Sequence, residues 1–193
     1  MMTDGIRTRL KTITKPLHDE IELNRLSKAI AAGTIDMDSY ILFLSMMLAF
    51  IEPIEDKIRK VPFWTYSGLD SVIQARSLLL KEDLEYLGGT THYGFSDEYM
   101  PHFDCPAGAY GVMYVLEGSM VGASVQTPMA AKALGLDGEG MRYLTNGGKS
   151  PMGSFGTFLG FLEGDVKREI EQKKAILAAC DTFMSLKIWL DNQ

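Results

Sequence analysis

Residues 107–126 read AGAYGVMYVLEGSMVGASVQ. The run is strongly apolar and shows no alternation, so it predicts a buried helix rather than a strand. Four glycines interrupt it, Gly108, Gly111, Gly118 and Gly122. Each costs about 1 kcal/mol relative to alanine inside a helix. Gly118 and Gly122 lie four residues apart and strip the side chains from one face. A neighbouring helix or a flat ligand must approach that backbone closely. The segment is not a phosphate loop, because no strand precedes it and no Lys-Ser/Thr closes it. Paired small residues also serve membrane helices, but Glu117, Ser119 and Ser124 argue against a span.

Working outward, Asp104 is the expected cap of this helix, with Pro106 in its first turn and the end near Leu134. A glycine-rich loop over 136–149 follows, then two helices near Gly153 to Leu162 and Asp165 to Leu190. Upstream, an apolar-periodic region covers Thr3 to Ala32 and stops at Gly33. Pro16 lies inside it. Either a short helix ends near Ile13, or a new one starts with Thr14 as cap and Pro16 in its first turn, which is the favoured reading. Asp36 or Asp38 caps a helix over Met37 to Lys60 with a bend at Pro53. A further helix is expected from Leu69 to the Gly88-Gly89 pair, then a loop carrying His92 and His102. Strand signals are almost absent, so the expected fold is all-α, one domain over 1–193.

Of the 193 residues 46% are hydrophobic and 23% charged, enough apolar content for a real core. The net charge of -6 and the lack of a basic run exclude nucleic acid as the main partner. The longest apolar stretch, Tyr40 to Ile51, is too short for a membrane span, and no secretory signal is visible. A cytoplasmic location is therefore expected. Cys105 and Cys180 form neither a disulfide framework nor a zinc signature and read as buried small hydrophobes.

The other unusual feature is the run KTITKPLHDEIELNR, residues 11–25. Lys11, Thr14, His18, Glu22 and Arg25 follow a three-or-four spacing and share a helix face. A neutral imidazole ligates iron through one ring nitrogen, and its other nitrogen needs an acceptor. Glu22, one turn on from His18, is placed to be it. On spacing alone, a solvated face with an incidental His–Glu pair explains the same pattern. No His has a Glu three residues away, which removes the di-iron bundle pairs.

Taken together, Thr14-x-x-x-His18-x-x-x-Glu22 and the string YVLEGSMVGAS from Tyr114 to Ser124 resemble the haem oxygenases, especially the bacterial ones that accompany bacterial phytochromes. The resemblance implies an all-helical bundle that binds haem as both substrate and cofactor. It implies His18 on the iron, Glu22 supporting it, Lys11 toward a propionate, and Gly118, Ser119, Gly122 and Ala123 on the distal side. Two positions depart from the family pattern. Ser119 stands where many members carry an Asp in a distal water network, and Ala123 stands where the second glycine of a distal pair is usual. Residues 155–163 also hold no Lys or Arg for a propionate. The implied reaction is opening of haem to biliverdin, carbon monoxide and ferrous iron. Electrons would come from an external ferredoxin or reductase, since no flavin or nucleotide fingerprint is present, and a bacterial phytochrome is a candidate acceptor of the biliverdin. A haem-binding or interaction protein of the same fold is the alternative.

Overall fold

In a computed structural model, residues 5–62, 75–90, 94 and 96–192 are described. They form seven α-helices and no strand. These are α1 (Ile6–Glu22), α2 (Arg25–Ala32), α3 (Met37–Arg59), α4 (Arg76–Leu87), α5 (Pro106–Leu134), α6 (Pro151–Asp165) and α7 (Glu169–Asp191). The all-α expectation is correct.

The first region divides elsewhere than expected. α1 runs straight through Pro16, and the break falls at Leu23 and Asn24. Pro16 removes the amide that would bond the Thr12 carbonyl. Both residues are exposed, so that carbonyl is free to meet solvent while Ile6, Leu10 and Thr14 hold α1 to the core. Thr14 is therefore no cap. It sits inside the helix, buried, with its hydroxyl donating to the Leu10 carbonyl at 2.8 Å. The new helix starts where Asn24 accepts from the Leu26 amide at 2.9 Å. Arg25 thus opens α2 and does not share the His18 face.

α3 spans Met37–Arg59 with Pro53 inside it, and Asp36 caps it, accepting from the Ser39 amide at 2.8 Å. It has the length and hydropathy of a membrane-crossing helix, but more than half of its apolar window is buried inside the protein, which accounts for that composition. α4 starts at Arg76, with Ala75 extended, and not at Leu69; residues 69–74 lie outside the described ones. α5 is capped by Cys105 rather than Asp104, and no side chain bonds its first amides. Both cysteines are half-buried and unpaired, not fully buried.

α5 is the central helix. It packs most extensively on α7 and also on α6 and α2, while α1 lies along α7 and α3 pairs with α4. The closest of these contacts depends on glycine. A Cβ added at Gly111 would lie 2.0 Å from the Ala175 carbonyl oxygen of α7. One at Gly108 would meet Phe103 at 2.8 Å. These two glycines let α5 sit against its neighbours at a distance no larger residue permits.

Candidate active site

Further along the same face of α5 the neighbour is missing. A Cβ at Gly118 would only touch the Phe155 ring at 3.5 Å, and one at Gly122 would meet nothing within 4 Å. Below these glycines lies α1, and between them is a cavity of about 380 Å³. Lys11, Thr14, His18 and Glu22 line it from α1, and Tyr114, Gly118, Ser119 and Gly122 from α5. An adjoining pocket of about 130 Å³ shares His18, Glu22, Ser119 and Gly122 and adds Ala123, Phe43, Met47 and Tyr143. All eight residues singled out by sequence therefore border one continuous region.

His18 is half-exposed, with Nδ1 3.7 Å from Glu22 Oε1 and 3.7 Å from Asp19 Oδ1. Neither approach is a direct hydrogen bond, so Glu22 acts on the imidazole by charge or through a water. The Phe183 ring of α7 meets His18 edge-on with centroids 6.0 Å apart. Lys15 pairs with Asp19 at 2.7 Å and holds that carboxyl below its usual range. Ligand atoms of His18, Asp19 and Glu22 lie within 4.8 Å of one another, close enough to share a cation, though all three are solvent-accessible.

On the opposite wall, Ser119 Oγ donates to the Leu116 carbonyl at 2.8 Å. Its proton is committed to the helix, and its lone pairs remain available to accept. Burial pushes the Tyr114 phenol up, an effect the Thr14 hydroxyl opposes. Tyr114 and Phe155 pack with centroids 5.8 Å apart. Phe155 is the only α6 residue on the cavity, so that wall carries no cation, as its sequence indicated. The positive charges at the mouth are Lys11 and Lys15.

Phe155, Phe183, Phe43 and Tyr143 were not anticipated. They come from four separate segments, and no local spacing links them to the His18 face. The Tyr143 segment is held by buried Asp83, whose carboxylate accepts from the Arg142 and Tyr143 amides at 2.8 Å each. Burial pushes Asp83 up to about 6 despite those two bonds. His102 is exposed and bonded to Asp181, away from the cavity, and His92 lies outside the described residues. A larger cavity of about 610 Å³ lies beside Cys105 and Arg168, and among the described residues no imidazole lines it.

A family model described as "Heme oxygenase" matches residues 4–191. The chain belongs to the haem oxygenase family. Solved haem oxygenases share its fold over 98% of its length. The NO- and CO-bound enzyme from Neisseria meningitidis is 23% identical with TM-score 0.75, covering 92% of that chain. The enzyme from Leptospira interrogans is 17% identical with TM-score 0.78 and fully covered. The haem complex of heme oxygenase-1 from Synechocystis is 15% identical with TM-score 0.73, again over 92%. No curated protein matches this sequence. The bare α5 face on the His18 cavity leaves open space that side chains at Gly118 and Gly122 would occupy.

Proposed function

We propose that this chain, acting as one domain in the cytoplasm, opens haem to biliverdin, carbon monoxide and ferrous iron, using dioxygen and electrons from an external ferredoxin or reductase. The observation that carries this reading is the unfilled glycine face at Gly118 and Gly122 directly across a cavity from His18. Bound haem would supply the iron that handles dioxygen and the macrocycle that is oxidised.

The residues divide the work by position. His18 would hold the iron through one ring nitrogen, and Glu22, 3.7 Å from Nδ1, favours the tautomer protonated there and raises the basicity of the other nitrogen. Gly118 and Gly122 keep side chains out of the cavity across from His18, so main chain rather than side chain would border a bound haem there. Ser119 Oγ accepts a hydrogen bond from a water and fixes where that proton donor sits, the service an Asp gives elsewhere in the family. Ala123 narrows the inner end of the same face. Thr14 backs the cavity beside Tyr114. Lys11 neutralises a propionate at the mouth, while Phe155 and Phe183 keep the interior dry and so strengthen these electrostatic contacts.

Two observations favour the alternative of haem binding without turnover: Ser119 has no ionisable proton, and α6 offers no cation. Purified protein with haem, air and a reductant distinguishes the readings. Loss of the Soret band with biliverdin appearing supports the oxygenase. A stable Soret band under the same conditions supports the binder, and no Soret band at all rejects both. A bacterial phytochrome as the biliverdin acceptor is the further part of this proposal.

A further inference from the structure

Glu117 is the residue immediately before Gly118, and its carboxylate is almost fully buried. Glu117 borders neither pocket, whereas Gly118 and Ser119 line the cavity, so its side chain lies on the other side of α5. Its partner is the equally buried Arg76 of α4, with Nη1 2.7 Å from Oε1. Among the described residues this is the only carboxylate the Arg76 guanidinium reaches. α4 itself packs mainly on α3, so the pair is a directional tie between that helix pair and α5.

Arg76 is in turn fixed from α3. α4 has no cap of its own, because Ala75 provides no side-chain bond. Glu55 of α3 takes that role, accepting from the Arg76 amide at 2.7 Å and from the Ser77 hydroxyl. α3 also lines the inner pocket with Phe43 and Met47. Buried Tyr143 lies between the two regions. It borders the pocket beside Ser119, and its phenol feels the charges of Arg76 and Glu55. The chain of contacts Glu55–Arg76–Glu117 therefore starts on the helix that also lines the inner pocket and ends one residue before Gly118.

We infer that Arg76 and Glu117 are positioning residues of the haem site: beyond the packing at Gly111, their buried ion pair sets the rotation of the part of α5 that carries Gly118, Ser119 and Gly122, so that these face His18. This rests on the haem reading above. The close contact at Gly111 fixes the N-terminal half of α5 on α7, but beyond it the face over the cavity meets no helix, and the ion pair one residue before Gly118 constrains rotation there. An ion pair taken out of water adds little net stability against an apolar pair of similar volume, and here the charges meet at ion-pair distance while Glu117 Oε1 and Arg76 Nε have no hydrogen-bond partner among the described residues, so the attraction depends on how α5 places the carboxylate.

The test uses three variants, Glu117→Gln, Glu117→Asp and the double change Arg76→Met with Glu117→Leu. Each is measured for apo melting temperature, haem affinity, azide affinity of the haem-loaded protein, and kcat against KM. Glu117→Gln leaves Arg76 charged and unpaired and lowers the apo melting temperature. The double variant restores it, because both buried sites become apolar. Haem affinity in the double variant stays within about threefold, while azide affinity and kcat each shift by roughly tenfold, as misplacement on the order of 1 Å or less allows. Glu117→Asp keeps the charge but shortens the tie, and it shifts azide affinity in the same direction by less. A double variant or Glu117→Asp with wild-type azide affinity and kcat makes the pair merely structural and overturns the inference. Wild-type protein that takes up no haem overturns the site reading itself, and this is seen in the first titration before any variant is compared.

Discussion

At Gly111 an added Cβ would sit 2.0 Å from a carbonyl oxygen of α7, whereas at Gly122 it would meet nothing within 4 Å. These positions are eleven residues apart, three helical turns, and so lie on one face of α5. At one end that face is pressed against Ala175, and at the other it overhangs α1 and His18. The same residue type has opposite causes at the two ends. Near Gly108 and Gly111 glycine admits another part of the protein. Near Gly118 and Gly122 it leaves room for something the protein itself does not fill. Close packing at the first pair fixes α5 on α7, which leaves the second pair held above the cavity.

The comparison breaks most readily at Gly111. Alanine there collides with backbone, which cannot rotate away as a side chain would. Gly111→Ala is expected to cost about 3 kcal/mol, the upper part of the overpacking range. For a domain of this size that lowers the apo melting temperature by roughly 6–12 °C. A variant that melts within 2 °C of wild type, to be checked by calorimetry, would mean that the contact at Gly111 is not the one that locks α5.

Gly122→Leu should do the reverse. The apo melting temperature stays close to wild type, and haem affinity falls about thirtyfold, on the order of 2 kcal/mol. Apo-protein destabilised like the Gly111 variant, with normal haem binding in the folded fraction, would show that a helix contact and not a ligand explains Gly122.

Gly118→Ala sharpens the contrast, because the two effects carry opposite signs. Its methyl makes ordinary contact with Phe155, and removing a helical glycine raises apo stability by up to about 1 kcal/mol. Haem affinity should fall all the same. A rise in both quantities would place the ligand away from Gly118.

The smallest expected effect is at the mouth. Lys11→Glu should weaken haem binding about fivefold at low salt, within the range of exposed charge pairs. The loss should shrink toward none near molar salt, where the screening length is about 3 Å. Equal affinity at both salt levels would remove Lys11 from the site.

Much of this was legible in the sequence, for a physical reason. His18 and Glu22 sit one turn apart, and Gly118 and Gly122 likewise, so local helical geometry brings each pair to one face without any tertiary information. The all-α class followed from apolar periodicity in the same way. What local pattern could not supply was tertiary. Phe155 and Phe183 enter the cavity from α6 and α7. Glu117 was visible as a charge in an apolar helix, but its partner Arg76 is forty-one residues upstream on another element. Thr14 was expected to cap because Pro16 usually marks a helix start, and burial of α1 against the core overrode that preference. Spacing alone also could not separate Gly111 from Gly118, since both lie on one face and only the neighbouring helix distinguishes them.

The central claim is that His18 holds a haem iron beneath the open glycine face. Its most direct test is a spectral haem titration of wild type and His18→Ala side by side. The account predicts one haem per wild-type chain with a histidine-ligated spectrum, and loss or marked weakening of that spectrum in the variant. The same spectrum and stoichiometry in both proteins would contradict it and place the iron ligand elsewhere.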